Sequence, residues 1–435
     1  MDTIASEPVL RVAVLGCGTV GTEVVRGLRT QAEELAARSG TRMEISAIIV
    51  RDTTLARDPV VPTELLGTDA RAAVESADLV VELMGGIEPA RSLIVAALRR
   101  GAGVVTANKA LLATHGPELF EAADAAEADL FFEAAVAGAV PVVRGVRESL
   151  AGDSISRIVG IVNGTTNYIL DQMSTAGVDF DEALAQAKAL GYAEADPTAD
   201  VDGLDAAAKA AILASLAFHS RIHLDDVAVS GIRDITPSDI AAAKHSGHVL
   251  KLLAIAEQRQ DETARGVAVR VHPALIPLDH PLANVREAYN AVLVQAEGAG
   301  TLMFYGAGAG GAPTASAVLG DLVAAARHRS TGGRAPAESD YAALRSLPAE
   351  YVQTRYQVRL EVRDRPGVLA TLATTVSEQH VSVETVRQTA TEEGQATLVL
   401  ITHLADERAL QAMIEAVDRL EDVLRISSVL RVEGH

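Results

Sequence analysis

The chain has 435 residues, long enough for two or three domains and a substantial core. It is 49% hydrophobic, yet no uninterrupted apolar run is long enough to cross a bilayer, and residues 1–8 lack the basic start and long apolar stretch of a signal peptide; a cytoplasmic globular protein is expected. The balance of 38 basic against 58 acidic residues, net charge −20, argues against nucleic acid and anionic membrane as partners, leaving small molecules and further copies of the chain. A single cysteine, Cys17, excludes an intrachain disulfide framework and a Cys-rich metal site, and without tryptophan the core must be built mainly from Ala, Val, Leu and Ile.

Residues 9–15 form a short apolar run of strand type, followed at once by Gly16-Cys17-Gly18-Thr19-Val20-Gly21 and a helical pattern to about residue 38. This is G-x-G-x-x-G in its strand-to-helix setting, where glycines let the backbone approach a pyrophosphate at the positive helix end. Gly16, Gly18, Thr19, Val20 and Gly21 are therefore candidate nucleotide ligands. The next strand, 45–50, ends in Arg51-Asp52. An arginine at this tip suits the 2′-phosphate of NADP, an acid suits the ribose hydroxyls of NAD, and Arg51 can also be an ordinary solvated residue. Strands at 78–84 and 103–106 flank a helix over 88–100, so the βαβα alternation predicts a Rossmann-type doubly wound parallel sheet. Thr106-Ala107-Asn108-Lys109-Ala110-Leu111-Leu112 follows the fourth strand, at the carboxyl end where such sheets bind ligands. Lys109 is either at the cofactor crevice or a solvated loop residue.

A fifth strand, 130–134, runs into Glu133-Ala134-Ala135-Val136-Ala137-Gly138-Ala139-Val140-Pro141, a tight strand-to-helix turn whose small residues leave carbonyl oxygens of the kind that satisfies a hard cation. After a strand at 155–162, Asn163-Gly164-Thr165-Thr166-Asn167-Tyr168-Ile169-Leu170 opens a helix with hydroxyls and amides that suit capping as well as a carboxylate ligand. A helix over 180–190 delivers the chain to the loop Gly191-Tyr192-Ala193-Glu194-Ala195-Asp196-Pro197. Asp202-Gly203-Leu204-Asp205-Ala206-Ala207-Ala208-Lys209 then starts an alanine-rich helix from Gly203 through about residue 219. Asp205 and Lys209, four apart, share one face, with Glu194 upstream at its mouth. Two carboxylates and an ammonium can converge there, although alone the pair also reads as a surface ion pair worth roughly 0.2–0.5 kcal/mol.

From 219 to 297 a helix over 237–245 and β-like runs such as 267–271 and 291–296 predict a mixed α/β substrate and dimerisation domain. His245 and His248 have no third ligand at matching spacing, which argues against zinc. A strand at 300–306 leads into Gly306-Ala307-Gly308-Ala309-Gly310-Gly311-Ala312-Pro313-Thr314, a flexible linker or a second backbone surface closing on the cofactor before a helix to about 328. Residues 330–350 read as a linker. Strand 355–362, a helix from 364 to 379, strands 381–388 and 397–402, a helix over 407–420 and strand 423–432 complete βαββαβ, a ferredoxin-like module.

Several of these stretches, in order and reaching to about residue 328, resemble homoserine dehydrogenases: T-A-N-K-x-x-L, E-A-x-V-x-G-x-x-P, N-G-T-T-N-Y-I-L, G-Y-x-E-x-D-P with D-G-x-D-x-x-x-K, and G-x-G-A-G-x-x-P-T. The resemblance implies that Glu194 and Asp205 hold an amino acid substrate beside Thr165 and Gly191. It makes Lys209 the proton donor and puts Lys109 between nicotinamide and substrate, with Thr106, Asn108 and Gly310 at the cofactor. It also implies a structural Na+ at Glu133, Val136, Gly138 and Val140, bound chiefly through main chain. The run D-R-P-G-V-L-A at 364–370 resembles ACT domains, which bind amino acids in regulatory enzymes, although a purely dimerising module stays open.

The expected layout is an NADP-binding Rossmann domain over 1–135 completed by helix 312–328, a substrate and dimerisation domain over 136–311, a linker over 329–352 and an ACT regulatory domain over 353–435. The expected activity is reversible NADPH-dependent reduction of L-aspartate 4-semialdehyde to L-homoserine, with NADP(H) preferred over NAD(H), in a homodimer or homotetramer regulated by L-threonine. Phosphorylating aldehyde dehydrogenation would need a nucleophilic cysteine, and Cys17 in the glycine turn should face cofactor. With the first strand at residue 9, no kinase module is expected upstream. The rival is a non-catalytic regulator that senses nicotinamide and amino acid.

Overall fold

The computed structural model describes residues 9–260, 265–348, 351–392 and 394–434. The chain opens with β1 (Val9–Leu15), α1 (Thr19–Thr30), α2 (Ala32–Ser39), β2 (Arg42–Ile49), β3 (Leu66–Gly67), α3 (Ala70–Ser76), β4 (Leu79–Glu82), α4 (Ala90–Arg99), β5 (Gly103–Thr106), α5 (Lys109–Ala125) and β6 (Leu130–Phe131). Their strands are all parallel, in the order β3-β2-β1-β4-β5-β6. The order reverses between β1 and β4, which puts the ligand crevice of this doubly wound sheet at the carboxyl ends of those two strands. There follow α6 (Val142–Arg144), β7 (Ile155–Ile161), α7 (Gly164–Thr175), α8 (Phe180–Ala189), α9 (Thr198–Val201), α10 (Leu204–Ala217), β8 (Ala228–Val229), α11 (Pro237–His245), β9 (His248–Gln260), β10 (Arg265–Pro277), β11 (Tyr289–Ala296), β12 (Gly300–Ala307) and α12 (Gly311–Thr331). The C-terminal part comprises β13 (Gln353–Arg363), α13 (Val368–Glu378), β14 (Val383–Glu392), β15 (Gln395–Thr402), β16 (Ala405–Asp406), α14 (Glu407–Asp418) and β17 (Val423–Val432).

The backbone forms two compact units. The first contains the described residues up to Gly164, Ala208–Asp225 and Ala288–Leu344; the second contains Thr165–Ala207, Asp226–Glu287 and the described chain from Arg345 on. In the first, α12 returns to the parallel sheet, and its Val318, Leu322 and Ala325 share one buried cluster with Val12, Val14, Leu79 and Val81 of the strands and Val24 and Leu28 of α1. The nucleotide half is thus closed by a helix that comes late in the chain. Antiparallel β7, β11 and β12 form this unit's other strands.

In the second unit, β9 and β10 pair antiparallel over thirteen residues each, and β10 continues through two parallel pairs, Ala274 with Arg431 and Leu275 with Val432, onto β17. Strand β17 then begins the order β17-β13-β15-β14, a four-stranded antiparallel sheet carrying α13 and α14, which pack on each other. Alternate inward residues Tyr356, Val358, Leu360 and Val362 of β13 share a buried cluster with Leu372 and Val376 of α13 and Leu410 and Met413 of α14. This is the expected ferredoxin-like module.

The expected helix from Gly21 to residue 38 is broken at Gln31, whose φ −116 and ψ 20 leave the helical region. The break lets Gly27 lie against Leu319 of α12 while Leu35 enters the same core. Strand β6 stops at Phe131, short of residue 134, because Asp321 of α12 accepts the Glu133 amide at 2.8 Å and the chain tightens into a 3₁₀ turn. The α10 helix ends at Ala217, and His219 follows with φ +49, a backbone that no helix continues. Strand β9 carries few turn signals and no strict alternation, so its length is not evident from sequence. Residues 349 and 350, at the expected end of the linker, lie outside the described residues.

Candidate active site

The glycine turn after β1 is shaped by what surrounds it. Gly16 has φ +99, and a Cβ there would lie 2.8 Å from the Leu83 carbonyl after β4, while a Cβ on Gly21 would lie 2.2 Å from the Gly16 oxygen. Around Gly18 the same construction meets nothing within 4 Å, so this glycine faces open space. Gly18 is also the N-cap of α1, which has no side-chain cap and no acid in its first turn. Its leading amides thus point outward at the positive end of the helix, as a pyrophosphate requires. The start of α12 lies alongside: a Cβ on Gly311 would meet Thr19 and Glu23 at 3.1–3.2 Å, and its N-cap Gly310, at φ +117, likewise has no side-chain cap. Two bare helix N-termini lie side by side. The observation fits the nucleotide and brings Gly16, Gly18, Thr19, Val20, Gly21 and Gly310 together.

At the tip of β2, Arg51 is exposed. The Asp52 carboxylate accepts from the Thr54 amide at 2.8 Å and the Thr54 hydroxyl at 2.6 Å, and these bonds hold its pKa below the usual range. A residue absent from the sequence reading, Arg57, reaches back to the turn, donating to the Cys17 carbonyl at 2.9 Å and the Asp52 carbonyl at 3.1 Å. Its planar guanidinium is fixed between the glycine turn and the end of β2. No periodic pattern marks residues 51–66, and the partner at Cys17 is 40 positions away.

The turn after β5 depends on a second residue not foreseen, Glu82 at the end of β4. Fully buried, it accepts the Thr106 hydroxyl at 2.7 Å and the amides of Met84 and Gly85. The Thr106 hydroxyl accepts the Asn108 amide, and the Asn108 side chain caps α5 through the Leu111 amide. With both side chains engaged inside the turn, Thr106 and Asn108 fix its shape and present half-buried Lys109 at the first position of α5. A carboxylate closing an apolar strand was the available signal for Glu82.

Lys209 lies on α10, one turn after Asp205, and both are buried, at 8% and 7% exposure. Its ammonium donates to the Val162 carbonyl at 2.7 Å, just past the end of β7. An ammonium taken this far from water costs several kcal/mol unless partnered, and the Val162 carbonyl is one such partner. In the second unit, Thr165, 7% exposed, donates its hydroxyl to the Tyr192 carbonyl at 2.7 Å, and the Tyr168 and Tyr192 rings lie 5.2 Å apart. The start of α7 thus holds the loop that runs from Gly191, at φ +78, to exposed Glu194.

Among the proposed cation ligands, Glu133 is buried, and its carboxylate accepts the Val143 and Arg144 amides, each at 2.9 Å. Burial raises its pKa against those two bonds. Each carboxylate oxygen is engaged by one amide at the start of the following helix, and the Glu133 carbonyl accepts the Val136 amide at 3.3 Å. Ala137 and Gly138 turn at φ +55 and +59, and a Cβ on Gly138 would lie 2.5 Å from the Gly308 oxygen. This tight turn with Val136 and Val140 fully buried suits a main-chain carbonyl donor set.

Bare amides at the switch point of a doubly wound sheet are what a dinucleotide pyrophosphate takes up, and they set the chain among the dinucleotide-binding proteins. Comparison with known proteins agrees: a family model described as homoserine dehydrogenase, NAD binding domain, matches residues 16–133, one described as homoserine dehydrogenase matches 141–323, and one described as ACT domain matches 356–422. The chain is 55% identical over 431 residues to the homoserine dehydrogenase of Mycobacterium tuberculosis, with 97% of each covered. It superimposes on the crystal structure of a homoserine dehydrogenase from Thiobacillus denitrificans with TM-score 0.91 at 39% identity, covering 98% of this chain and 99% of that one. A more distant structure, a hyperthermophilic archaeal homoserine dehydrogenase in complex with NADPH, gives TM-score 0.61 at 27% identity over 73% of this chain and 98% of its own. The chain belongs to the homoserine dehydrogenase family.

Proposed function

We propose that the chain catalyses the reversible reduction of L-aspartate 4-semialdehyde to L-homoserine, preferring NADPH to NADH, and that L-threonine regulates it. The observation that carries the catalytic reading is Lys209, a buried ammonium held at the end of β7. The amides of Gly18 to Gly21 and of Gly310 would hold the pyrophosphate, and the bound nicotinamide supplies the hydride. As the aldehyde carbon is reduced, negative charge grows on its oxygen, and Lys209 delivers the proton that neutralises it. Lys109, placed by the Glu82-braced turn, supports that charge and orients the nicotinamide. Glu194 binds the substrate ammonium, Asp205 orients Lys209 or a water, and Thr165 and Gly191 complete the substrate loop. In the reverse direction Lys209 takes the hydroxyl proton. The carbonyls of Glu133, Val136, Gly138 and Val140 would hold a sodium ion, whose role would be structural.

The preference for NADPH rests on two cationic groups at the ribose end of the site, exposed Arg51 and fixed Arg57, against an Asp52 carboxylate already engaged by Thr54. Regulation rests on a cavity of about 380 Å³ in the ferredoxin-like module, lined by Arg363, Asp364, Gly367, Gln388 and Leu398, where Gly367 opens α13 at φ +97 without a side-chain cap. Self-association is supported by β12, which ends its sheet order and exposes Met303 and Tyr305 at 40% and 53%, beside Tyr289 on β11. Steady-state kinetics at 340 nm with homoserine test the reading. Turnover with NADP+ should exceed that with NAD+ about tenfold in kcat/KM, Arg57→Ala should erase most of that ratio, and threonine should slow the wild type. Absent turnover would leave the sensing regulator; a tenfold preference for NAD+ would reverse the cofactor assignment.

A further inference from the structure

Lysine 251 is a charged residue in the apolar middle of β9, between Leu250 and Leu252, and only 1% of it is exposed. Its ammonium donates to the Asn167 side-chain oxygen at 2.9 Å and to the Val285 carbonyl at 2.6 Å. Asn167 belongs to α7, two residues after Thr165, and its amide nitrogen donates in turn to the carbonyls of Val285 and Glu287. On the next turn of α7, Asp171 accepts the Glu287 amide at 3.1 Å and pairs with Arg286 at 2.7 Å. These bonds hold Glu287 at φ +53, a backbone rare for any residue but glycine. One residue on, the Ala288 carbonyl lies 2.6 Å from where a Cβ on Gly164 would be, so this backbone is also the floor under the Asn163-Gly164 turn.

We propose that Lys251 is a positioning residue for substrate: from β9 it fixes α7 and the 285–287 segment, and so sets where Thr165 meets the substrate and holds the Glu194 loop. The inference rests on the reading of Thr165 as a substrate residue. A leucine or methionine at 251 would pack in the same strand without the cost of burying a charge, so the ammonium needs a reason other than packing. Its two acceptors supply one, since both lie on the elements that frame the turn. Burial lowers the Lys251 pKa to about 8, opposed by nearby Asp171, so near neutral pH the group still carries the proton it donates.

The test compares Lys251→Met, Lys251→Gln, Thr165→Ala and, as a control for general loosening, Leu252→Ala on the same strand. Lys251→Met should raise KM for homoserine about tenfold or more while kcat and the NADP+ dissociation constant stay within about threefold. Lys251→Gln keeps a donor and should fall between it and the wild type; it also decides the matter should the methionine variant not fold. Leu252→Ala should lower the melting temperature with KM nearly unchanged. A KM raised by Thr165→Ala but by neither Lys251 variant removes the lysine's role. A KM raised equally by Leu252→Ala reduces that role to ordinary packing. An unchanged KM in Thr165→Ala removes the substrate turn itself, and the lysine's role with it.

Discussion

Lys209→Ala is expected to lower kcat about 100-fold or more while the affinity for NADPH stays close to wild type, as stopped-flow turnover and cofactor titration would show. A 100-fold loss corresponds to about 2.7 kcal/mol of transition-state stabilisation, within reach of one positioned proton donor. The separation from cofactor binding follows from where the residue lies: Lys209 is on α10 and bonded to Val162, whereas the nucleotide amides are at the starts of α1 and α12. Alanine is a good helix former in an already alanine-rich segment, so α10 should persist. It would leave the Val162 carbonyl without the ammonium, a cost to stability of about 1–3 kcal/mol that a melting curve measures separately. Near-normal turnover would show that another group delivers the proton.

Gly21→Ala is expected to impair cofactor binding and stability together. Its new methyl would lie 2.2 Å from the Gly16 oxygen, and Gly16 is held in place by the bond from its amide to the Ile49 carbonyl at 2.9 Å. The start of α1 must move off the turn, which costs about 1–3 kcal/mol of stability and takes the leading amides away from the pyrophosphate. The NADP(H) dissociation constant should rise tenfold or more, since every 1.4 kcal/mol lost is a factor of ten. Gly18→Ala makes the instructive contrast. With nothing of the protein within 4 Å of its Cβ, its melting temperature should fall by less than that of Gly21→Ala, only by what alanine costs at an N-cap, while binding still falls because the methyl occupies cofactor space. Equal melting temperatures and equal affinities for both variants and wild type would remove the phosphate role of this turn.

The nucleotide half was legible because its chemistry is local: a glycine pattern between a strand and a helix dictates both the turn and its bare amides. The ferredoxin-like module was legible from alternation, with β13 and β17 near their expected limits. What escaped depends on partners far away in sequence. Arg57 acquires its role from a carbonyl at Cys17, Glu82 from Thr106 on the neighbouring strand, and Lys251 from an asparagine 84 positions earlier. Of these, only the charged residues inside apolar strand runs, Glu82 and Lys251, carried a signal in the sequence. The break between α1 and α2 was hidden for the same reason, since it is the late helix α12 that sets the direction each must take. Glu133 shows the limit of residue type as evidence, for its buried carboxylate serves two backbone amides of the following helix.

The most direct measurement is a crystal structure of the chain with NADP+ and homoserine bound. The Lys209 ammonium is expected within about 3.2 Å of the hydroxyl oxygen on the carbon that is oxidised, with Glu194 at the substrate ammonium. A hydroxyl facing a different proton acceptor, with Lys209 still directed at Val162 and away from substrate, would contradict that assignment.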